Sequence, residues 1–277
     1  TDFKGGDLTS DGGLPLLREV DRKIGLIDAF NAAVYDPRDP ALTEHEQRTL
    51  LAQRILSIGA GYEDLNDHHT LRKDKLFQAM TDRPRQAEGK PLSSPPTLCR
   101  LENRVTRKDL ARLAEVLVEA FVASHREAPE QLVLDFDATD DPVHGHQERR
   151  FFHGYYDHYC FLPLYVTCGQ QLLVAYLRPA NIDAAKHSRA ILKLLVRRFR
   201  DVWPGVKIIF RGDSGFCRWR LMRWCDRHDV DYILGLAKNA VLQRRSRRAM
   251  VQARWDYRRT GEEQRPCEEG EHAAATG

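Results

Sequence analysis

The spacing of apolar residues changes once along the chain, close to residue 130. Before that point, apolar residues recur every three or four positions, which is the pattern of helices with one buried face. We predict three such helices there: one from Asp11 behind a Ser10 cap, one over about 43–58 and one over about 107–123. A shorter helix is predicted from Ser93 to Leu101. Short helices around a turn are typical of a helix-turn-helix motif, although helices that pack without touching DNA produce the same pattern.

After residue 130 the pattern becomes that of a sheet with intervening helices. We predict strands over residues 131–137, 160–167, 172–177, 206–210 and 232–236, and helices over residues 183–199 and 218–228. The short gap at 168–171 has the length of a hairpin, so the strands beside it are expected to be antiparallel. The run 206–210 is almost wholly apolar, as expected for a central strand buried on both faces. The predicted fold class is therefore α/β, a mixed sheet with flanking helices that follows a helical N-terminal region.

Composition supports a folded domain and leaves the partner open. Apolar residues make up 42% and charged residues 30% of the 277 residues, which excludes a wholly disordered chain, and no apolar run is long enough to cross a membrane. The net charge is only +3, but 33 of the 43 basic residues are arginines, which bind phosphate bidentately. A genome rich in G and C produces the same bias. The six cysteines form no CxxC pair, and we expect a reducing, cytoplasmic compartment.

A second basic feature is a cluster near the C-terminal end. It has two interpretations, contact with DNA phosphates or a solvated tail. Its members are Arg244, Arg245, Arg247 and Arg248.

Two predicted strands end in acidic residues. Asp135 and Asp137 point to the same face of the first strand, because side chains alternate along a strand. Asp213 closes the apolar strand at 206–210 and precedes a helix, which places it at the rim of the sheet, where ligands bind in open α/β sheets. If the two strands are neighbours, Asp137 and Asp213 can bridge one divalent cation, and oxygen ligands favour Mg²⁺ or Mn²⁺. The alternative is that these acids only cap turns or helices.

The segment 151–161 holds six aromatic residues. Unpaired bases stack on exposed aromatic rings, and a buried or lid-like pair of strands is the alternative. Four histidines lie in or near this segment, at His144, His146, His153 and His158. They lack an established zinc spacing, so we expect surface or DNA-facing histidines rather than a zinc site.

Several short motifs of this chain resemble those of DDE transposases, and specifically the insertion-sequence 1380 family of bacterial transposases. The matching stretches are residues 3–14, 61–67, 96–104, 134–145, 151–157, 178–183 and 211–216. The Asp-Ala-Thr strand end at 137–139 and the Gly-Asp-Ser-Gly-Phe strand end at 212–216 occur together, which makes the match specific. The resemblance implies an RNase H-like core with Asp137 and Asp213 as the first two catalytic acids. It also implies Mg²⁺-dependent cutting and joining of double-stranded DNA at the element's terminal inverted repeats, by a protein of the bacterial nucleoid that is a homodimer when full length.

This chain has no acid at the position where the resemblance implies the third catalytic residue. The resemblance implies a late helix with the pattern Tyr-x-x-Arg-x-x-x-Glu, but from Tyr257 the two later positions are Thr260 and Gln264. We therefore expect a chain truncated after about residue 240 and catalytically incomplete. The predicted organisation is a helical, DNA-binding region at 1–125, a partial catalytic core at 131–240 and a divergent or disordered tail at 241–277. The alternatives are a DNA-binding remnant of a transposase and an RNase H-like nuclease without a role in transposition.

Overall fold

The computed structural model describes residues 9–82, 90–237 and 239–263 of the chain. Residues 3–8 of the motif at 3–14 lie outside this description, as do residues 83–89 and the last part of the tail.

The N-terminal part is helical where the apolar spacing predicted helices. Its helices are α1 (Leu14–Ile24), α2 (Leu26–Ala33), α3 (Gln47–Gly59), α4 (His68–Leu71), α5 (Lys75–Met80), α6 (Pro95–Arg104) and α7 (Arg107–Ala123). Helix α1 begins at Leu14 rather than at Asp11, with Gly13 at its cap and a proline in its first turn. The Asp11 carboxylate instead accepts a hydrogen bond of 3.0 Å from the Tyr62 hydroxyl, which ties the approach to α1 to the loop after α3.

The second part contains a mixed five-stranded sheet. The strands of the chain are β1 (Gln131–Ala138), β2 (Asp141–Pro142), β3 (Phe151–His153), β4 (His158–Phe161), β5 (Leu164–Cys168), β6 (Gln171–Tyr176), β7 (Lys207–Gly212) and β8 (Asp231–Leu234). The large sheet has the order β6-β5-β1-β7-β8. Strands β5 and β6 form the predicted antiparallel hairpin, and β7 and β8 run parallel to β1. Three antiparallel strands followed by two parallel ones, with helices as crossovers, make an RNase H-like core, and the predicted fold class is confirmed.

The hydrophobic core lies on one face of this sheet. Leu132, Leu134 and Phe136 of β1 are buried there, under α7, α8 (Ser188–Val202) and α9 (Trp219–Arg227). The side chains that β1 directs to the other face are half-buried or exposed. Strand β7 has the predicted central position, but only Ile208 and Phe210 are fully buried, so the expected burial on both faces is incomplete.

The predicted strand at 160–167 is wrong, because it is two strands in different sheets. Strand β4 pairs with β2 and β3 in a small sheet, and β5 belongs to the large one. Pro163 lies between them and has no N–H with which to continue a ladder of hydrogen bonds.

Residues 240–260 differ from the disordered tail that we expected. They form α10 (Ala240–Thr260), which the Asn239 side chain caps by accepting a 2.9 Å hydrogen bond from the Leu242 amide. Gly261 ends the helix in the left-handed conformation. No residue of α10 is buried, so the helix carries no apolar stripe that faces a core. Among the helices of the described ranges, none is both long and apolar enough to cross a membrane.

Candidate active site

The two acids that end the predicted strands occupy adjacent positions on neighbouring strands. Phe136 of β1 pairs in register with Gly212, the last residue of β7, and Asp137 and Asp213 are the residues that follow them along the chain. Neighbouring strands lie about 4.8 Å apart, and in-register residues of parallel strands point to the same face. Both aspartates are exposed at the carboxyl ends of their strands. The topology therefore brings together the two candidate residues that the sequence identified.

A tight turn fixes the backbone of Asp213. Its Oδ1 atom accepts a 2.8 Å hydrogen bond from the Gly215 amide at the start of a short 3-10 helix, Ser214–Phe216. This cap uses one carboxylate oxygen, and Oδ2 accepts no hydrogen bond from the described residues. Asp213 does cap a turn, as the alternative interpretation expected, but the cap leaves one carboxylate oxygen available to a ligand.

Gly235 lets the end of β8 approach this turn closely. Its amide donates a 3.1 Å hydrogen bond to the Gly212 carbonyl. A Cβ atom at Gly235 would lie 2.9 Å from the Ser214 nitrogen and 3.1 Å from the Asp213 carbonyl carbon, closer than real side chains come to backbone atoms. Glycine is therefore the residue that the spacing between β8 and the Asp213 turn requires.

Asp135 has a different environment from Asp137, although both lie on the same face of β1. Arg211 stands opposite Asp135 in the register and donates hydrogen bonds to both of its carboxylate oxygens. Its partner holds the pKa of Arg211 above the usual range. Asp137, in contrast, accepts no hydrogen bond from the described residues. The ion pair neutralises Asp135 and leaves Asp137 as the β1 carboxylate that is free to bind a cation.

The small sheet places a tyrosine and a second acid beside the pair. The Tyr156 hydroxyl donates a 3.3 Å hydrogen bond to the Ala138 carbonyl, at the end of β1. Burial raises the pKa of Tyr156, and the negative charges of three nearby acids add to the effect: Asp140, Asp137 and Asp213. Asp140 accepts a 2.7 Å hydrogen bond from Nε2 of His158. The sequence pattern gives no signal for these neighbours of the acid pair, Tyr156, Asp140 and His158, because their contacts cross between the two sheets.

The donor set of this site suits a hard divalent cation. Carboxylate oxygens are the ligands that Mg²⁺ and Mn²⁺ prefer, and Asp137 and Asp213 each keep an oxygen without a protein partner. In the parts of the chain that the structure describes, no group of three or more His, Cys, Asp or Glu side chains has a metal-binding arrangement. The site therefore offers two carboxylates, and the four histidines at 144–158 form no zinc cluster there.

The remaining candidate residues lie elsewhere. The four arginines of the basic cluster project from the first half of α10 and are exposed. Glu262 and Glu263 follow the glycine that ends α10 and are exposed. The aromatic segment does form a strand pair, β3 and β4, but it is not buried, since Phe152, Tyr155 and Tyr159 are all exposed.

Comparisons with known proteins found a matching family model and a distant structural likeness. A family model described as "Transposase DDE domain group 1" matches residues 1–276. Among solved structures, a piggyBac transposase synaptic complex with hairpin DNA, determined by cryo-EM, is similar at 12% identity with a TM-score of 0.41, over 81% of this chain and 51% of that one. The chain thus spans about half the length of that transposase. No curated protein matches.

Proposed function

The chain belongs to the family of group 1 transposase DDE domains, and we propose that it acts by cutting and joining DNA with Asp137 and Asp213 as its first two catalytic carboxylates. The observation that carries this proposal is the register of β1 and β7, which sets the two aspartates side by side at the exposed carboxyl ends of parallel strands. The motifs of residues 134–145 and 211–216 support a finer placement, in the insertion-sequence 1380 family.

Asp137 and Asp213 would hold Mg²⁺, or Mn²⁺ in its place. When bound, such cations supply Lewis-acid stabilisation of the attacking and leaving oxygens of a phosphodiester. The protein's own part is to keep the two carboxylates in position. The cap from the Gly215 amide orients Asp213, the hydrogen bond from Tyr156 to Ala138 steadies the end of β1, and Arg211 removes the charge of Asp135 from the site.

The proposed partner is double-stranded DNA, at the terminal inverted repeats of the chain's own element. We assign residues 131–240 to catalysis and residues 1–125 to DNA binding, and a homodimer remains the predicted assembly of the full-length protein. The exposed arginines of α10 are proposed to contact DNA phosphates.

No third carboxylate is assigned among the described residues, and the expected catalytic incompleteness of this chain stays a prediction. Arg211 occupies both carboxylate oxygens of Asp135, whereas Asp140 gives only Oδ2 to His158. The experiment below distinguishes a chain that cleaves DNA from one that only binds it.

The experiment measures metal binding and strand cleavage together. The protein and its Asp137→Asn and Asp213→Asn variants are titrated with Mn²⁺ by calorimetry, and are incubated with a labelled duplex taken from the DNA that flanks the reading frame. We expect both variants to lose Mn²⁺ affinity and any nicking, while duplex binding persists. Asp201→Asn, at an exposed aspartate in the last turn of α8, is the matched control.

The outcomes separate the candidate functions. Undiminished nicking or Mn²⁺ binding by Asp213→Asn would refute the assignment of the acids. Duplex binding without nicking by the unmodified chain would favour the DNA-binding remnant. Nicking of any duplex without preference for the flanking repeats would favour a nuclease with no role in transposition.

A further inference from the structure

A cleft opens beside the Asp213 turn, between the first turns of α8 and α9. It encloses about 580 Å³. Its lining includes the polar and aromatic residues Asp183, Lys186, His187, Arg189, Arg218, Trp219 and Arg220.

The cleft is strongly positive. Of its four cations, Arg218 is paired, through a 2.7 Å contact with Asp183. Lys186, Arg189 and Arg220 have no acidic partner among the described residues. Burial lowers the pKa of His187 at the same cleft, and the charges of Arg178 and Lys186 lower it further, which agrees with a local positive field. An anionic ligand is therefore the complement of this surface.

A buried arginine holds one wall of the cleft in place. Arg178 is 1% exposed, and its Nη1 atom donates hydrogen bonds of 3.0 Å and 2.6 Å to the carbonyl oxygens of Ala184 and Lys186. Its Nε atom donates to the Leu162 carbonyl, which anchors the same segment to the strand before Pro163. The cations of the cleft thus project from a wall with fixed backbone rather than from a free loop.

The cleft lies beside the turn that holds Asp213. A Cβ atom at Gly215 would lie 3.0 Å from Oδ1 of Asp213 and 3.2 Å from the Ala184 Cβ, so the Asp213 turn packs directly on the cleft wall. Arg218 and Trp219 follow that turn along the chain. A nucleic-acid strand that places one phosphodiester on the acids therefore continues over the cations.

The cleft also presents a large exposed ring. Trp219 is 61% exposed, and the Arg223 guanidinium lies 4.8 Å from the centre of its indole ring. Exposed tryptophan beside arginine is the combination with which proteins contact nucleic-acid strands, through stacking and phosphate contacts together.

We propose that this cleft binds the DNA backbone next to the phosphodiester that reacts, with Lys186, Arg189 and Arg220 contacting phosphates and Trp219 contacting the same strand. The inference rests on the proposed function, since it takes DNA as the anion. The cleft fixes the direction in which the DNA leaves the acid pair.

The test removes the three unpaired cations. Lys186, Arg189 and Arg220 are changed together to Gln, and the matched control changes Lys193, Arg197 and Arg227 to Gln, which removes the same charge from exposed positions of α8 and α9 outside the cleft. Binding of a fluorescein-labelled duplex is followed by anisotropy over a range of salt. We expect the cleft variant to bind on the order of tenfold more weakly at low salt, and to lose roughly 0.9 from the log–log salt slope for each phosphate contact removed. We expect the control to change both quantities much less.

Tryptophan fluorescence reports on the cleft itself. Trp255 is 66% exposed, so the titration is made in a Trp255→Phe background, in which Trp219 is the most exposed indole among the described residues. We expect the duplex to quench this emission, and the quenching to disappear when Trp219 is also changed to Phe. Inorganic phosphate at matched ionic strength is the second probe.

Each result supports or overturns the inference. Equal duplex affinity and salt slope in the cleft variant and its control would overturn it while leaving the acid pair and its proposed chemistry intact. Full quenching by inorganic phosphate alone, with no added effect of duplex, would identify a small-anion site instead. Failure of the unmodified chain to bind any duplex would refute the proposed function together with the inference. If the cleft variant loses duplex affinity and Asp213→Asn still cleaves DNA normally, the proposal for the cleft is supported and the catalytic assignment of Asp213 is refuted.

Discussion

Gly235→Ala is the substitution that most directly tests how the fold positions Asp213. The added methyl group would meet the Ser214 nitrogen at 2.9 Å and the Asp213 Cα at 3.4 Å. These are backbone atoms, so no side chain can rotate away to relieve the contact. Either β8 or the Asp213 turn must move by several tenths of an ångström.

The cost follows from the packing. Forcing one extra methyl group into a filled site destabilises a protein by about 1–3 kcal/mol. For a domain of this size that corresponds to a fall of about 2–12 °C in the melting temperature. A displacement of about 1 Å costs on the order of a hundredfold in rate, so a shift of several tenths of an ångström should weaken metal binding and cleavage by a smaller factor.

The assay compares Gly235→Ala with Gly205→Ala by thermal unfolding and by Mn²⁺ titration. Gly205 is a fair control because a Cβ atom there would meet no atom within 4 Å. We expect the control to keep the melting temperature and the Mn²⁺ affinity of the unmodified protein. A Gly235→Ala protein with both properties unchanged would show that β8 does not constrain the turn, and that our account of Asp213 is wrong.

Three further changes test other parts of the structure. Burial lowers the pKa of His68, whose Nδ1 atom accepts a 3.0 Å hydrogen bond from the Gln53 amide, so the unfolded chain takes up the proton first. Stability should therefore fall as the pH drops below about 6.5, and the slope of unfolding free energy against pH should flatten in His68→Gln. Two hydrogen bonds from Arg198 hold the pKa of Glu119 below its usual range. Glu119→Gln should therefore lower the free energy of unfolding by about 0.2–1 kcal/mol at neutral pH. Denaturant unfolding should show no difference between the variant and the unmodified protein once the pH lies below the pKa of Glu119 in the folded state. The third change replaces four arginines of α10 by alanine: Arg244, Arg245, Arg247 and Arg248. It should lower the log–log salt slope of duplex binding by up to about 3.6, and an unchanged slope would mean that these side chains are only solvated.

The sequence identifies the acids because their signals are local. Asp137 and Asp213 each end a run of apolar residues long enough to be recognised as a strand, and a hairpin and two crossovers then fix the order of those strands. Tyr156 gives no such signal. Its contact with Ala138 depends on a sheet whose strands are two to four residues long, too short for alternation to be recognised.

Two errors of prediction have physical causes. Apolar residues recur at every second position, at Cys160, Leu162, Leu164 and Val166, so the pattern predicts one strand although the chain changes sheets at Pro163. The side-chain period records burial and not the hydrogen-bonding partner. Helix α10 was missed for the opposite reason, since a helix without a buried face has no apolar period to detect.

The one-sided core has a consequence for chains that lose activity. Leu132, Leu134 and Phe136 secure β1 to the helices, whereas Asp135 and Asp137 lie on the face that contributes no side chain to the buried core. A replacement of Asp137 therefore removes no side chain from the core, and a replacement of Asp213 removes only the cap on Gly215. Under the function proposed here, such a chain would keep its DNA-binding surfaces and compete with active transposase copies for the terminal inverted repeats of the element. An inactivated gene copy would then inhibit the active copies.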